Sequence, residues 1–135
     1  MVVLTLGTFD LPHYGHFHFL KECSKNGLTI IGLNTDEFIT RYKGKPPILT
    51  YKERERTLKE WGYDCVPNNQ DDGTIKNVVK LVKPDIIAIG SDWMRKEYLG
   101  QIGLSIKYLE KENIWLTYIP YTYGISTTEI KARLQ

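Results

Sequence analysis

All three histidines of the chain, His13, His16 and His18, lie within one window of six residues. The window belongs to the segment GTFDLPHYGHFHFL, residues 7–20, in which Gly7 follows a short apolar run. On a helix, His13 and His16 would face the same side because they are three residues apart. Two imidazoles at a helix amino terminus can donate hydrogen bonds to a phosphate chain, and more strongly as negative charge builds up.

Three uses of the histidine window stay open on spacing alone: a phosphate site, a metal site and ordinary packing. His16 and His18 would point to nearly opposite sides of a helix, so at most His13 and His16 could share an ion. No third ligand in the sequence is spaced for a closed zinc site, and we predict no metal-ligating residue. We assign His18 to packing or to the surface.

The elements that must position these residues alternate between strands and helices. Short apolar runs rich in β-branched residues predict strands over 2–6, 28–33, 64–67, 85–90 and 115–119. The alternation predicts an α/β fold, with a parallel sheet of about five strands and helices on both faces. We expect a single domain over residues 1–135.

Helices are indicated by apolar stripes and by capping boxes. Each of two stripes has the spacing of one helix face. The first is Ile75, Val78, Val79 and Val82, and the second is Leu99, Ile102, Ile106 and Leu109. Thr50 with Glu53, and Ser126 with Glu129, form capping boxes that mark helix starts. Another helix is predicted to begin near Tyr14, and we expect Trp61 and Trp115 in the core.

Four segments with reactive or polar residues each follow a predicted strand: GTFD, NTDE, GSDW and PYTYGISTT. The carboxyl ends of parallel strands meet at one edge of the sheet, and ligands bind outside that edge where the strand order reverses. We therefore expect the four segments to form one composite site. A dinucleotide site is disfavoured, because GTFDLP stands where G-x-G-x-x-G would be needed.

Composition excludes several classes of partner. The net charge of +2, from 18 basic and 16 acidic residues, is too small to indicate nucleic acid. No apolar run is long enough for a membrane helix, so we predict no membrane insertion. Cys23 and Cys65 fit no zinc or redox spacing, and we interpret them as reduced thiols of a cytoplasmic protein.

Five segments, in order along the chain, resemble the nucleotidyltransferase superfamily with the HxGH signature. Within it they are most similar to the cytidylyltransferases, above all those that act on glycerol 3-phosphate. They are GTFDLPHYGH (7–16), NTDEF (34–38), RYKGKPPILTYKERE (41–55), KPDIIAIGSDW (83–93) and GISTTEIKARL (124–134). The resemblance implies a Rossmann-like three-layer sandwich that transfers CMP from CTP to a phosphorylated alcohol and releases pyrophosphate. It further implies Mg²⁺ or another divalent cation with the nucleotide, and a homodimer.

Carried over position by position, the resemblance implies three groups of site residues. The catalytic group would be His13, His16, Lys43 and Lys45, with the lysines closing over phosphates from a loop. The nucleotide-binding group would be Thr8, Phe9, Asp10, Asp92, Trp93, Gly124, Ser126 and Thr127. Arg54 and Tyr121 would contact the acceptor or a phosphate. Tyr121 stands where the family has arginine, and it cannot neutralise phosphate charge as arginine does.

Two other functions remain open on the sequence. One is an adenylyltransferase of cofactor synthesis built on the same scaffold. The other is a non-catalytic nucleotide sensor that has lost turnover together with the missing arginine.

Overall fold

The computed structural model describes residues 1–90 and 98–119, and this part of the chain alternates between strands and helices. The strands are β1 (Val2–Gly7), β2 (Leu28–Asn34), β3 (Asp64–Asn68), β4 (Ile86–Gly90) and β5 (Trp115–Ile119). The helices are α1 (Tyr14–Ser24), α2 (Asp36–Lys43), α3 (Tyr51–Glu60), α4 (Lys76–Val82), α5 (Tyr98–Ile102) and α6 (Ile106–Lys111). All five predicted strands are present, with ends within one residue of the predicted ends.

The strands form one parallel sheet in the order β3-β2-β1-β4-β5. Side chains alternate between its faces, so neighbours such as Val3 and Leu4 enter different cores. Leu4 packs with α4, α5 and α6, whereas Val3 packs with Cys23 of α1. The predicted Rossmann-like fold is confirmed, and the strand order reverses between β1 and β4.

The second apolar stripe does not form one helix as predicted. Gly103 adopts a left-handed conformation with φ of +69°, which ends α5. The Ser105 hydroxyl then accepts a hydrogen bond from the Tyr108 N–H at 3.1 Å and caps α6. Ile102 and Leu109 are buried as the stripe requires, but Ile106 is exposed at the start of α6.

The two tryptophans expected in the core differ in burial. Trp61 is partly buried and meets Phe17 of α1 edge to face, with ring centres 5.3 Å apart. Trp115 is 68% exposed, because it opens β5, which lies at the edge of the sheet. The assignment of Trp115 to the core is therefore wrong.

In the described ranges, no helix is both long enough and apolar enough to cross a membrane.

Gly103 makes a prediction about stability possible. A Cβ at this position would lie 2.3 Å from the Gly73 carbonyl oxygen, in addition to the left-handed φ. We expect Gly103→Ala to lower the free energy of unfolding by about 2–4 kcal/mol, from backbone strain plus overpacking. Gly62→Ala is the matched control, since Gly62 has φ of +96° but no atom within 4 Å of the added Cβ. Urea unfolding of both variants measures the difference, and equal losses would contradict the steric contribution.

Candidate active site

The turn after β1 is strained and tightly anchored. Phe9 and Leu11, neither of them glycine, have φ of 50° and 52°. Such conformations persist only when surrounding contacts hold them. Between the two, the buried Asp10 carboxylate accepts backbone N–H groups of Ile48 (2.9 Å) and Leu49 (3.0 Å). Asp10 thus ties the turn to the loop that joins α2 and α3.

Gly7 allows the turn to fold back on the strand end. The Phe9 ring lies so close that a Cβ at Gly7 would be 2.7 Å from Phe9 Cε2. The same ring meets the His16 imidazole edge to face, with centres 5.1 Å apart. Phe9 therefore positions His16 beside the carboxyl end of β1.

The two histidines of the HxGH segment cap their own helix. His13 is the N-cap of α1, and its Nδ1 accepts the Gly15 N–H at 3.0 Å. His16 Nδ1 accepts the His13 N–H at 3.3 Å, which completes a capping box. Since a neutral imidazole that accepts at Nδ1 carries its proton on Nε2, both rings present an Nε2–H donor.

The two rings are stacked, with centres 3.9 Å apart. His13 Nε2 is buried and has no partner within the part of the chain that the structure describes. A buried donor without a partner is costly, so a ligand with an acceptor oxygen is favoured at this place.

Burial keeps both imidazoles neutral. It lowers the pKa of His13, and it lowers the pKa of His16 to about 3, with the nearby His13 as a second cause. At neutral pH both side chains therefore act as uncharged N–H donors.

The low pKa of His16 predicts a stability that depends on pH. Unfolded His16 takes up a proton near pH 6.5, whereas folded His16 resists protonation down to a pKa of about 3. Between these values the unfolded state binds more protons, so the free energy of unfolding falls as pH falls. From pH 7 to pH 5 we expect the wild type to lose about 2 kcal/mol more than His16→Asn. Urea unfolding at both pH values measures this, and parallel losses would mean that His16 titrates normally.

A cavity of about 500 Å³ opens at the carboxyl edge of the sheet, where the strand order reverses between β1 and β4. Four groups of residues line it: the end of β1 with its turn and helix start, the β2–α2 segment, the end of β3, and β4 with α5. They include Thr8, Phe9, Asp10, His13, His16, Asn34, Phe38, Tyr42, Lys43, Asn68, Gln70, Gly90 and Gln101.

Six of the residues predicted from the sequence line this cavity, and Lys45 does not. The six are Thr8, Phe9, Asp10, His13, His16 and Lys43. Lys43 is the last residue of α2, and Lys45 lies exposed in the loop that follows. The predictions for Asp92, Trp93, Tyr121, Gly124, Ser126 and Thr127 fall outside the described residues.

The resemblance implied that Arg54 contacts the acceptor or a phosphate, but the structure places its side chain in the protein interior. Its side chain is 0% exposed, and it does not line the cavity. The guanidinium donates hydrogen bonds to the carbonyl oxygens of Thr8 (2.7 Å), Asn34 (2.8 Å) and Leu49 (3.1 Å), and to Asp36 Oδ1 (2.6 Å). Arg54 thus acts on the site through the backbone that it holds, and this geometry does not provide the predicted phosphate contact.

Sequence reasoning missed the amides and aromatics of the cavity, namely Asn34, Asn68, Gln70, Phe38 and Tyr42. Asn34 opens the polar NTDE segment, in which the sequence predicts no site residue. Asn68 ends β3. An amide at the carboxyl end of a strand is the signal that could have identified both asparagines.

The described part of the site does not suit a resident metal ion. Both Nδ1 atoms and both Asp10 oxygens already accept backbone N–H groups. Over residues 1–90 and 98–119, no cluster of three histidine, cysteine or acidic side chains could hold a metal.

Comparisons with known proteins identify the family of the chain. The family model described as cytidylyltransferase-like matches residues 4–133. Bifunctional protein HldE of Helicobacter pylori (strain HPAG1) is 38% identical over 102 residues, which are 73% of this chain and 22% of that protein. FAD synthase of Pyrococcus abyssi (strain GE5 / Orsay) is 33% identical over 128 residues, which are 90% of this chain and 81% of that protein. The chain thus spans about a quarter of the HldE proteins that it matches.

One solved structure is similar to this chain over most of the length of both. The lipopolysaccharide core biosynthesis protein from Thermoplasma volcanium GSS1 has a TM-score of 0.66 and 25% sequence identity. The match covers 90% of this chain and 98% of that one.

Proposed function

The chain belongs to the cytidylyltransferase-like family of the nucleotidyltransferase superfamily, and on that premise we propose that it transfers CMP from CTP to a phosphorylated alcohol. The observation that carries the proposal is the pair of Nε2–H donors of His13 and His16. Both rings are fixed by capping bonds beside a cavity at the strand-order reversal. This is where α/β sheets bind ligands.

In the proposed reaction, a phosphate oxygen of the acceptor attacks the α-phosphorus of CTP. A new P–O bond forms in line with the bond to the β-phosphate, which breaks, and pyrophosphate leaves with the electron pair. No side chain needs to act as nucleophile. The work of the protein is alignment and stabilisation of the charge that develops on the α-phosphate oxygens.

The histidine pair suits that stabilisation. Neutral N–H donors held in place by Gly15 and by the His13 backbone need no reorganisation when charge develops. The amino terminus of α1 adds the positive end of a helix dipole. Lys43 at the cavity and Lys45 in the adjacent loop supply positive charge for the distal phosphates. A divalent cation, Mg²⁺ in our proposal, accompanies the triphosphate.

A second candidate is adenylyl transfer from ATP. The 33% identity with an FAD synthase over 90% of this chain favours it, since FAD contains an adenylyl group. The resemblance of the sequence to glycerol 3-phosphate cytidylyltransferases favours CTP, with glycerol 3-phosphate or a related phosphorylated alcohol as acceptor. In the proposal, Asp92, Trp93, Gly124, Ser126 and Thr127 contact the nucleotide and Tyr121 lies near the acceptor.

Pyrophosphate release tests the proposal. The protein is incubated with Mg²⁺, each of the four nucleoside triphosphates in turn, and a panel of phosphorylated alcohols that includes flavin mononucleotide. Release that requires CTP and one acceptor is the expected result. Release with ATP alone would establish the second candidate. Binding of CTP without release of pyrophosphate in the presence of any acceptor would favour a nucleotide sensor and contradict the transfer.

A further inference from the structure

A row of polar side chains crosses the carboxyl edge of the sheet, away from the histidines. Thr8 follows β1, Asn34 ends β2, and Asn68 ends β3 directly opposite Asn34 in the strand register. Asn34 Nδ2 donates to Thr8 Oγ1 at 3.1 Å, and Asn68 Nδ2 donates to Asn34 Oδ1 at 2.9 Å. All three residues line the cavity. Donation in this row runs in one direction, from Asn68 through Asn34 to Thr8 Oγ1.

Gln70 determines which way the amide of Asn68 faces. Gln70 Nε2 donates to the carbonyl oxygens of Gln101 (2.8 Å) and Gly73 (3.4 Å), so Gln70 Oε1 must face the other way. Gln70 Oε1 accepts from Asn68 Nδ2 at 3.3 Å. Because Asn34 Oδ1 and Gln70 Oε1 both require a donor, Nδ2 of Asn68 points to them and its Oδ1 points elsewhere.

Asn68 Oδ1 is left as an acceptor. The residue is only 2% exposed, and among residues 1–90 and 98–119 this oxygen has no hydrogen-bond partner. A buried carbonyl oxygen without a donor destabilises a fold by about 1–3 kcal/mol. A bound hydroxyl or N–H group would remove that cost, so the cavity is suited to a ligand that donates here.

The charges around this row disfavour a cationic ligand. Asp10 is the one acidic residue among the described residues that line the cavity, and both of its oxygens accept backbone N–H groups. The stacked rings of Phe38 and Tyr42 already have cations beside them. The Arg41 guanidinium lies 5.9 Å from the centre of the Phe38 ring, and Lys43 Nζ lies 5.7 Å from that of Tyr42. A quaternary ammonium group would meet positive charge where it needs a carboxylate or a free ring face.

We propose that Asn68 Oδ1 accepts a hydrogen bond from a hydroxyl of the acceptor, which is therefore the phosphate of a neutral sugar or polyol rather than of an amino alcohol. The inference rests on the proposed transfer reaction, because it concerns the same cavity. Asn68 ends β3, which lies two strands away from β1, so the two strands are separated by about 10 Å. The hydroxyl it binds is thus remote from the reacting phosphate, which favours acceptors longer than the three carbons of glycerol.

The first test compares acceptors with the wild-type protein. Pyrophosphate release is measured with glycerol 3-phosphate, phosphocholine, phosphoethanolamine, and a set of pentitol, hexose and heptose phosphates. We expect the best sugar or polyol phosphate to exceed phosphocholine at least about tenfold in kcat/KM, the ratio that one neutral hydrogen bond supplies. Equal or greater efficiency with phosphocholine or phosphoethanolamine would overturn the inference while leaving the transfer reaction established.

The second test removes the acceptor oxygen of Asn68. For the best sugar or polyol phosphate, Asn68→Leu is expected to raise KM about tenfold and to change kcat and the Kd of the nucleotide less than about twofold. The matched control is Asn77→Leu, which makes the same change at an exposed position of α4. An unchanged KM in folded Asn68→Leu would overturn the inference.

Deoxy analogues of the best acceptor keep the test independent of whether the variant folds. In the wild type, removal of the one hydroxyl that Asn68 binds should raise KM about tenfold, and the same analogue should lose nothing further in Asn68→Leu. If no single deoxygenation affects KM in the wild type, the inference is wrong.

A binding measurement separates this inference from failure of the proposed transfer. The same acceptors are titrated calorimetrically into the protein saturated with CTP. If no pyrophosphate is released but a sugar or polyol phosphate binds and Asn68→Leu weakens that binding, the transfer fails and the role of Asn68 stands. If none of them binds, the inference is overturned.

Discussion

His16→Asn is expected to lower kcat about 10²–10³-fold, the loss measured when one preorganised donor to a developing oxyanion is removed. The variant separates the two functions of the imidazole. Asparagine Oδ1 occupies the place of Nδ1, so it can still accept the His13 N–H that now bonds to His16 at 3.3 Å. It has no counterpart of Nε2–H. Turnover should therefore fall much further than the free energy of unfolding, which we expect to change by less than about 2 kcal/mol.

His13→Asn gives an independent measure of the same effect. Asparagine is among the preferred N-cap residues, so the cap that His13 Nδ1 now makes with the Gly15 N–H is retained. We expect a similar loss in kcat without loss of stability. The control is His18→Asn, because His18 lies on the exposed side of α1 near Glu22. If His16→Asn keeps most of the wild-type turnover with the best substrates, the assignment of the histidine pair to the α-phosphate is wrong.

Arg54→Ala is expected to lower the free energy of unfolding by about 3–5 kcal/mol, because it breaks the hydrogen-bond network of a fully buried guanidinium. The loss has two parts. Three carbonyl oxygens, those of Thr8, Asn34 and Leu49, lose a charged donor in a buried place. The Asp36 carboxylate loses its ion pair at 2.6 Å. Since whole domains are stable by only about 5–15 kcal/mol, this loss is a large share of the total.

The matched control for this variant is Arg56→Ala. Arg56 is exposed on the same helix, and surface changes of this kind usually stay within about 0.5 kcal/mol. Urea unfolding of the three proteins measures the difference. If Arg54→Ala unfolds at the wild-type urea concentration but loses activity, Arg54 binds a phosphate as the sequence predicted and its structural role is secondary.

The hydrogen bonds of Arg54 and those of Asp10 together explain how the site is assembled. Arg54 holds the ends of β1 and β2 by their carbonyl groups, and Asp10 holds the loop after α2 by its N–H groups. The strained turn between Phe9 and Leu11 is the segment on which both act. The histidine donors are therefore positioned by charged residues that need not touch the substrate.

Much of the fold could be predicted from the sequence, because its signals are local. Short runs rich in apolar and β-branched residues indicate strands, and all five strands lie where they were predicted. The capping box of Thr50 and Glu53 starts α3 as expected. The proximity of His13 and His16 also follows from spacing, since three residues on a helix nearly complete one turn.

Other features were decided by the tertiary structure alone, because they depend on which strands become neighbours and in what register. Asn34 and Asn68 are 34 residues apart in sequence, and only the pairing of β2 with β3 brings their amides within hydrogen-bond distance. In the sequence, Arg54 is compatible with a surface charge or a phosphate ligand. In the structure, its guanidinium bonds to carbonyl oxygens at the ends of β1 and β2. Periodicity specifies which face of an element is buried, but it carries no information about the partners that a buried polar group meets there. Those partners depend on strand order, and they decide whether a polar residue binds a ligand or holds the fold.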